Sequence, residues 1–182
     1  MHYHAEILIQ TSVDVDQQIA RIMAPHREAY NGGDTTGFWD WFQIGGRFTG
    51  VHDGYKPSED LRNHEECDLC NGTGFRDDDT AKRLRADNPG FTCNGCSDHR
   101  APKGRAVKWP TCWADHPGDI APVKSIDPSL TCYTLIVGDD VFHEGEWDGK
   151  EWRKTGFNGN VKECMESLGV TSGYLVTVDY HR

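Results

Sequence analysis

The sequence predicts an α+β domain interrupted by a cysteine-rich insertion, and three observations lead there. Residues 3–11 and 173–180, near opposite ends of the chain, carry the β-branched, alternating pattern of half-buried strands. Two helical stripes accompany them, one around Ile19 and one around Met165. Between them two Cys-x-x-Cys pairs, Cys67/Cys70 and Cys93/Cys96, stand in a long stretch rich in Gly, Pro and charge.

The elements follow in order. After the first strand, Asp14 or Asp16 can cap a helix whose apolar positions are Ile19, Ile22 and Met23, with Pro25 limiting it. Residues 31–127 show no helical stripe beyond a short turn near residues 80–86. Strand formers return at residues 130–137, and Gly138-Asp139-Asp140 reads as a hairpin turn before a second strand at 141–147. Asn160 then caps a helix, with Glu163 placed for a capping box, Val161, Cys164, Met165 and Leu168 on one face, and Gly169 as the stop. The resulting order, β-α-(insertion)-β-β-α-β, is the split βαβ pattern of ferredoxin-like sheets. Residues 1–63 and 113–182 form the α+β body in this reading, and residues 64–112 an inserted zinc-binding lobe.

The lobe rests on its cysteines. Each Cys-x-x-Cys places two thiolates on one tight turn, half of a tetrahedral zinc site, and two such pairs complete it. Gly72 and Gly74 after the first pair, and Gly95 inside the second, suit turns that need positive φ or close backbone approach to sulfur. One structural Zn2+ per chain, held by Cys67, Cys70, Cys93 and Cys96, is the expectation. His64, His99 and His116 lie near enough in sequence to replace one of these ligands. A disulfide framework is the alternative, but the start, Met1-His-Tyr-His-Ala-Glu, lacks the basic and apolar regions of an export signal. Cys112, Cys132 and Cys164 then read as small hydrophobes, and the protein as cytoplasmic.

Composition narrows the partners. A net charge of −10 argues against general binding to nucleic acid or to anionic membranes, and no run is long and apolar enough to span a bilayer. The lobe is the exception. From Arg76 to Lys108, eight Lys/Arg face five Asp, which leaves an RNA or DNA contact through the lobe as one reading and a solvated insertion as the other.

Two further groups invite chemistry. Trp39-Asp40-Trp41 followed by Gly45-Gly46-Arg47 can bind a small ligand or nucleotide, with the tryptophans stacking, the glycine N–H groups cradling an anion and Arg47 clamping it. The bland alternative is an aromatic satellite core with Asp40 and Arg47 paired to each other. If the last strand lies antiparallel to the first, His2, His4, Asp179 and His181 gather at one place, a candidate second metal site, against which stands a set of surface histidines on frayed strand ends.

The chain resembles a family of small actinobacteriophage proteins through Asp40-Trp41-Phe42-Gln43-Ile44-Gly45-Gly46-Arg47-Phe48, the paired knuckles, the segment from Val107 to Val123 and the closing Asp179-Tyr180-His181. That resemblance implies expression in a bacterial host and supplies no established activity. Separately, Cys67-x-x-Cys70-x-Gly72-x-Gly74 is similar to the zinc repeat of J-domain co-chaperones. Here there is one full repeat where that region has four, and the second knuckle continues as Ser97-Asp98-His99-Arg100. The function expected from all this is a non-enzymatic accessory protein that binds and modulates a host bacterial protein, as in a defence system. Small-ligand binding by the Trp39–Arg47 segment, by a sequestering protein or an enzyme, is the alternative, and nucleic-acid binding by the lobe a further one.

Overall fold

The computed structural model describes residues 1–28, 37–56, 59–96, 103–107, 117–147 and 152–182. The chain forms two compact units: Met1–Tyr55 with Ala114–Arg182, and Lys56–Trp113. Cys112, His99 and His116 lie outside the described residues.

The first unit is built on a mixed sheet. Strand β1 (His2–Ile9) pairs antiparallel with β10 (Tyr174–His181) along its whole length, from His2 opposite His181 to Ile9 opposite Tyr174. The far side of β10 is shared end to end by β2 (Trp41–Ile44) and β5 (Ile120–Pro122), both antiparallel to it. On the other side of β1 lies β6 (Thr134–Val137), parallel, and beyond it β7 (Asp140–His143). The order is therefore β2-β10-β1-β6-β7.

This order corrects the ferredoxin-like expectation. A split βαβ unit would separate β1 from β6 by an antiparallel strand, whereas β6 sits directly beside β1. The cause is legible in burial. Leu135 and Ile136 of β6 are fully buried, while Asp140 of β7 is exposed and the rest of that strand half-buried. A strand apolar on both faces belongs inside a sheet and a mixed one at its edge.

Strand alternation divides the sheet into two faces. Ala5, Ile7 and Ile9 join Val176, Val178, Tyr180 and Ile136 on one face, where helix α1 (Val15–Met23) covers them with Ile19 and Met23. Asp14 holds the cap position of α1 in a left-handed conformation, and its side chain makes no cap bond. Trp39 belongs to this core too, its indole N–H donating to the Met23 carbonyl at 2.8 Å. On the opposite face Leu8, Leu135 and Leu175 pack with Val161 and Met165 of α3 (Val161–Ser167). Asn160 caps α3 by accepting from the Glu163 N–H at 2.8 Å. The reciprocal capping-box bond is replaced: Asn158 accepts the Asn160 N–H, and the Glu163 carboxylate accepts from Asn158. Gly169, at φ 68°, ends the helix, which leaves Leu168 at its terminus and exposed. The strand expected at 141–147 breaks at Glu144, because β8 (Gly145–Trp147) leaves β6 to pair with β9 (Trp152–Lys154).

The second unit holds a short antiparallel pair, β3 (His64–Glu66) with β4 (Arg105–Val107), and helix α2 (Asp79–Asp87). Helix α2 is longer than the turn anticipated there. Asp78 initiates it by accepting the Ala81 N–H at 3.0 Å, and Ala81 is its buried residue, so no apolar stripe announces it.

Truncating Ile7 at the centre of the first core, as Ile7→Ala, is expected to lower the unfolding free energy of the first unit by about 2–5 kcal/mol. Urea denaturation followed by circular dichroism measures it.

Candidate metal centre

The four knuckle cysteines converge. Cys67 Sγ lies 3.8 Å from Cys93 Sγ, and Cys70 Sγ lies 3.8 Å from Cys96 Sγ. All four sulfurs lie within 4.8 Å of one another, and all four residues are buried. These spacings are too long for S–S bonds of about 2.05 Å. They match the edge of a tetrahedron whose metal–sulfur bonds are about 2.3 Å, which is about 3.8 Å. Among the described residues this is the one grouping of three or more His, Cys, Asp or Glu that brings its ligand atoms so close. His64, the one candidate replacement ligand among the described residues, is not part of it.

Local backbone explains how the sulfurs are aimed. The β3–β4 pair sets the base, with the Cys67 N–H donating to the Gly104 carbonyl at 3.1 Å. The Cys93 N–H donates to the Gly74 carbonyl at 2.9 Å, which ties the second knuckle to the tail of the first. The Gly74 N–H then points at Cys70 Sγ (3.2 Å), and the Gly95 N–H at Cys93 Sγ (3.3 Å). Gly74 takes φ 78°, and a Cβ there would collide with the Lys103 side chain. These N–H groups favour thiolate. Burial opposes ionisation of Cys70, yet the Gly74 N–H and the neighbouring thiols pull it below the usual thiol range. Burial raises Cys67, and raises Cys96 to about 12. A cation at the centre would override such burial, because a thiol that coordinates a metal binds as thiolate and loses its proton to solvent.

Among the described residues, several of the lobe's cations have partners within the lobe. Arg76 pairs with Asp78 at 2.7 Å and donates to Asn94, Lys82 meets Asp77 at 3.1 Å, and Arg85 donates to the Arg76 carbonyl. Lys103 and Arg85 also lie over the Phe75 ring. Cations committed this way are less available to a phosphate backbone.

The histidine group at the strand ends is brought together by register but not toward one point. His2 and His181 face each other across β1 and β10, as do His4 and Asp179. Each ring then takes its own acid: His2 Nδ1 lies 2.8 Å from Asp179, His4 Nε2 lies 2.7 Å from Glu6, and His181 Nδ1 lies 2.9 Å from Asp40. Their ligand atoms do not form a metal grouping.

The segment from Trp39 to Arg47 serves the fold. Trp39 is core, and Trp41 meets His2 edge-on at 5.8 Å. Asp40 binds His181. Of the glycine N–H groups expected to cradle an anion, that of Gly45 donates to the Thr177 carbonyl at 2.8 Å, while the next N–H along, that of Arg47, donates to the Asp179 carboxylate at 3.0 Å. Gly45 and Gly46 have φ 69° and 55°, and a Cβ on either would collide with Asp119 or Asp179. The glycines are there so that the backbone can close over buried carboxylates.

Those carboxylates form a network the sequence did not announce. Glu6, Asp119 and Asp179 are almost wholly buried in the first unit. Glu6 is held by His4, by His52 at 3.1 Å and by the Thr177 hydroxyl at 2.9 Å. Asp119 accepts from Thr49 at 2.6 Å and from the Gly50 N–H at 2.7 Å. Glu6 carries one signal, a charge on the inward rhythm of β1. His52 and Asp119 carry none, because loops deliver them.

Burial alone would raise the Glu6 pKa, but hydrogen bonds from His4 and His52 outweigh it and hold the carboxyl near 2. Burial would lower His52, but its bond to Glu6, with Asp119 and Asp53 nearby, raises it above 6.5. A depressed carboxyl contributes stability above its unfolded pKa, which is lost as pH falls through the folded value. A raised histidine contributes stability below its unfolded pKa, which is lost as pH rises through the folded value. The first unit is therefore expected to be most stable between about pH 4.5 and 6.5, weakening above that window as His52 loses its proton and below it as pH approaches 2. Urea midpoints across pH measure this, and His52→Gln should flatten the alkaline limb.

No family model, curated protein or solved structure matches the chain.

Proposed function

We propose that this chain is a non-catalytic accessory protein whose cysteine lobe is held by one Zn2+ and which binds and modulates a protein of a bacterial host. The observation that carries the reading is the spacing of the four sulfurs, 3.8 Å across each of two pairs in a buried set. Tetrahedral four-sulfur sites select zinc or iron, and a site whose four positions are all filled by protein is structural rather than catalytic. Among the described residues, the lobe's buried apolar cluster consists of those cysteines, with Ala106 packed against them, so the metal takes the place of a hydrophobic core there. Such a site contributes on the order of 10–16 kcal/mol of binding free energy coupled to folding. A reducing cytoplasm suits it, since the thiols must stay reduced to bind.

The host-protein reading is supported by the likeness to actinobacteriophage proteins and by the acidity of the chain, which suits a basic groove on a partner. The ligand reading of the Trp39–Arg47 segment is not favoured, because Trp39 is buried and the Arg47 N–H is bound to Asp179.

Native mass spectrometry of protein expressed in bacterial cytoplasm is expected to find one zinc per chain, lost in Cys67→Ser and in Cys93→Ser. Amide exchange in those variants should show residues 65–108 open. A zinc-free wild-type chain would sink the metal assignment, and bound iron would correct it. For the partner, wild-type chain immobilised in lysate of an actinobacterial host is expected to retain one protein in stoichiometric amount, released when Cys93→Ser is used instead. Retention of none removes the binding reading.

A further inference from the structure

The chain leaves the first unit at Tyr55 and re-enters it at Ala114, with the cysteine lobe between. Close to both crossings, the outgoing arm (residues 49–53) and the returning arm (residues 118–119) are fastened to each other. Thr49 and the Gly50 N–H donate to Asp119 at 2.6 and 2.7 Å. Gly118 lies so close to the Asp53 carboxylate that a Cβ would collide with it. The same outgoing arm is fastened to the sheet, where His52 Nε2 meets Glu6 at 3.1 Å with a side chain only 5% exposed. All of these residues belong to the first unit.

A lobe that is folded, with β3 paired to β4, holds residues 64 and 107 side by side. When it opens, the entropy of holding the ends of a long loop side by side falls on whatever fastens the arms. Here that is the clasp of Thr49, Gly50, His52 and Asp53 with Gly118, Asp119 and Glu6. The one member whose charge changes near neutral pH is His52. Glu6 from β1, Asp119 from the returning arm and Asp53 from its own arm face it, while His4 from β1 and Thr177 from β10 hold the other oxygen of Glu6.

We propose that this clasp is a proton-set lock at the base of the insertion. With His52 protonated, the sheet stays folded whatever the state of the cysteine lobe; with His52 neutral, opening of the lobe is passed on to the sheet. The charged pair is strongest when both members are ionised in a site from which water is excluded. Loss of the His52 proton leaves a buried carboxylate with one neutral donor in place of a cation. The proposal rests on the reading that the four cysteines hold the lobe together.

The test is amide exchange at Ile7 and Val176, fully buried on the central strands, in the wild type and in Cys93→Ser at pH 6 and pH 9, corrected for intrinsic rate. Cys93→Ser is expected to lower protection there less than about twofold at pH 6 and about tenfold or more at pH 9. His52→Gln supplies a donor that does not titrate. Combined with Cys93→Ser, it should show at pH 6 the loss that His52 shows at pH 9. An equal loss at both pH values, or none at either, overturns the lock. The amides of residues 67 and 93 report separately whether the lobe has opened. If they stay protected in Cys93→Ser, the four-cysteine reading is what has failed. Gly104→Val, whose side chain has no room against the Gly72 carbonyl, then opens the lobe without recourse to metal, and the same comparison decides.

Discussion

The pairing of β1 with β10 is the constraint on which the first unit depends. Eight residues on each strand lie in continuous antiparallel register, and every other strand attached to either one is placed by it. Because side chains alternate, that register sends Ala5, Ile7 and Ile9 to α1 and sends His2, His4, Glu6 and Leu8 to the opposite face. A slip of one residue would exchange the two sets and bury three polar side chains of β1 against a helix. The register is thus fixed by hydrophobic burial on one side and by ion pairing on the other.

The second face is the less ordinary one. Leu8, Leu135 and Leu175 give it a conventional core under α3, yet farther along the same strands the buried residues are Glu6, Thr177 and Asp179. Buried carboxylates are costly unless every oxygen is served. Here they are served by histidines, by hydroxyls and by the backbone N–H groups of Arg47 and Gly50. The two glycines at 45 and 46 make this geometry accessible, since a side chain at either would displace the carboxylate beneath it. What reads in sequence as an anion cradle is a lid over the protein's own anions.

The second unit solves a different problem. Apart from cysteine its described residues bury little apolar surface: Ala81 in α2 is small, and Leu61, Leu69 and Leu84 are exposed. Four buried thiols gathered at one centre, with the Gly74 and Gly95 N–H groups donating to sulfur, form a set compatible with a metal site. That economy of apolar residues is what a small insertion needs when it cannot assemble a core of adequate size.

By itself the sequence determined the α+β character, the strands near residues 3–11 and 173–180, helices α1 and α3, and the four cysteines that meet. Each is a local or periodic property: alternation, a 3.6-residue stripe, a cap, or a pair of ligands three residues apart. The tertiary structure alone decided that β6 sits directly beside β1, that β2 and β5 share one side of β10, and that Glu6 finds His52 while Asp119 finds Thr49. Those choices depend on which surfaces are left to cover once the first strands have paired. The partners of a buried charge come from distant loops whose composition carries no period. For the same reason Gly45, Gly46 and Arg47 looked like a site: their local chemistry suits an anion, and only the fold reveals that the anion is Asp179.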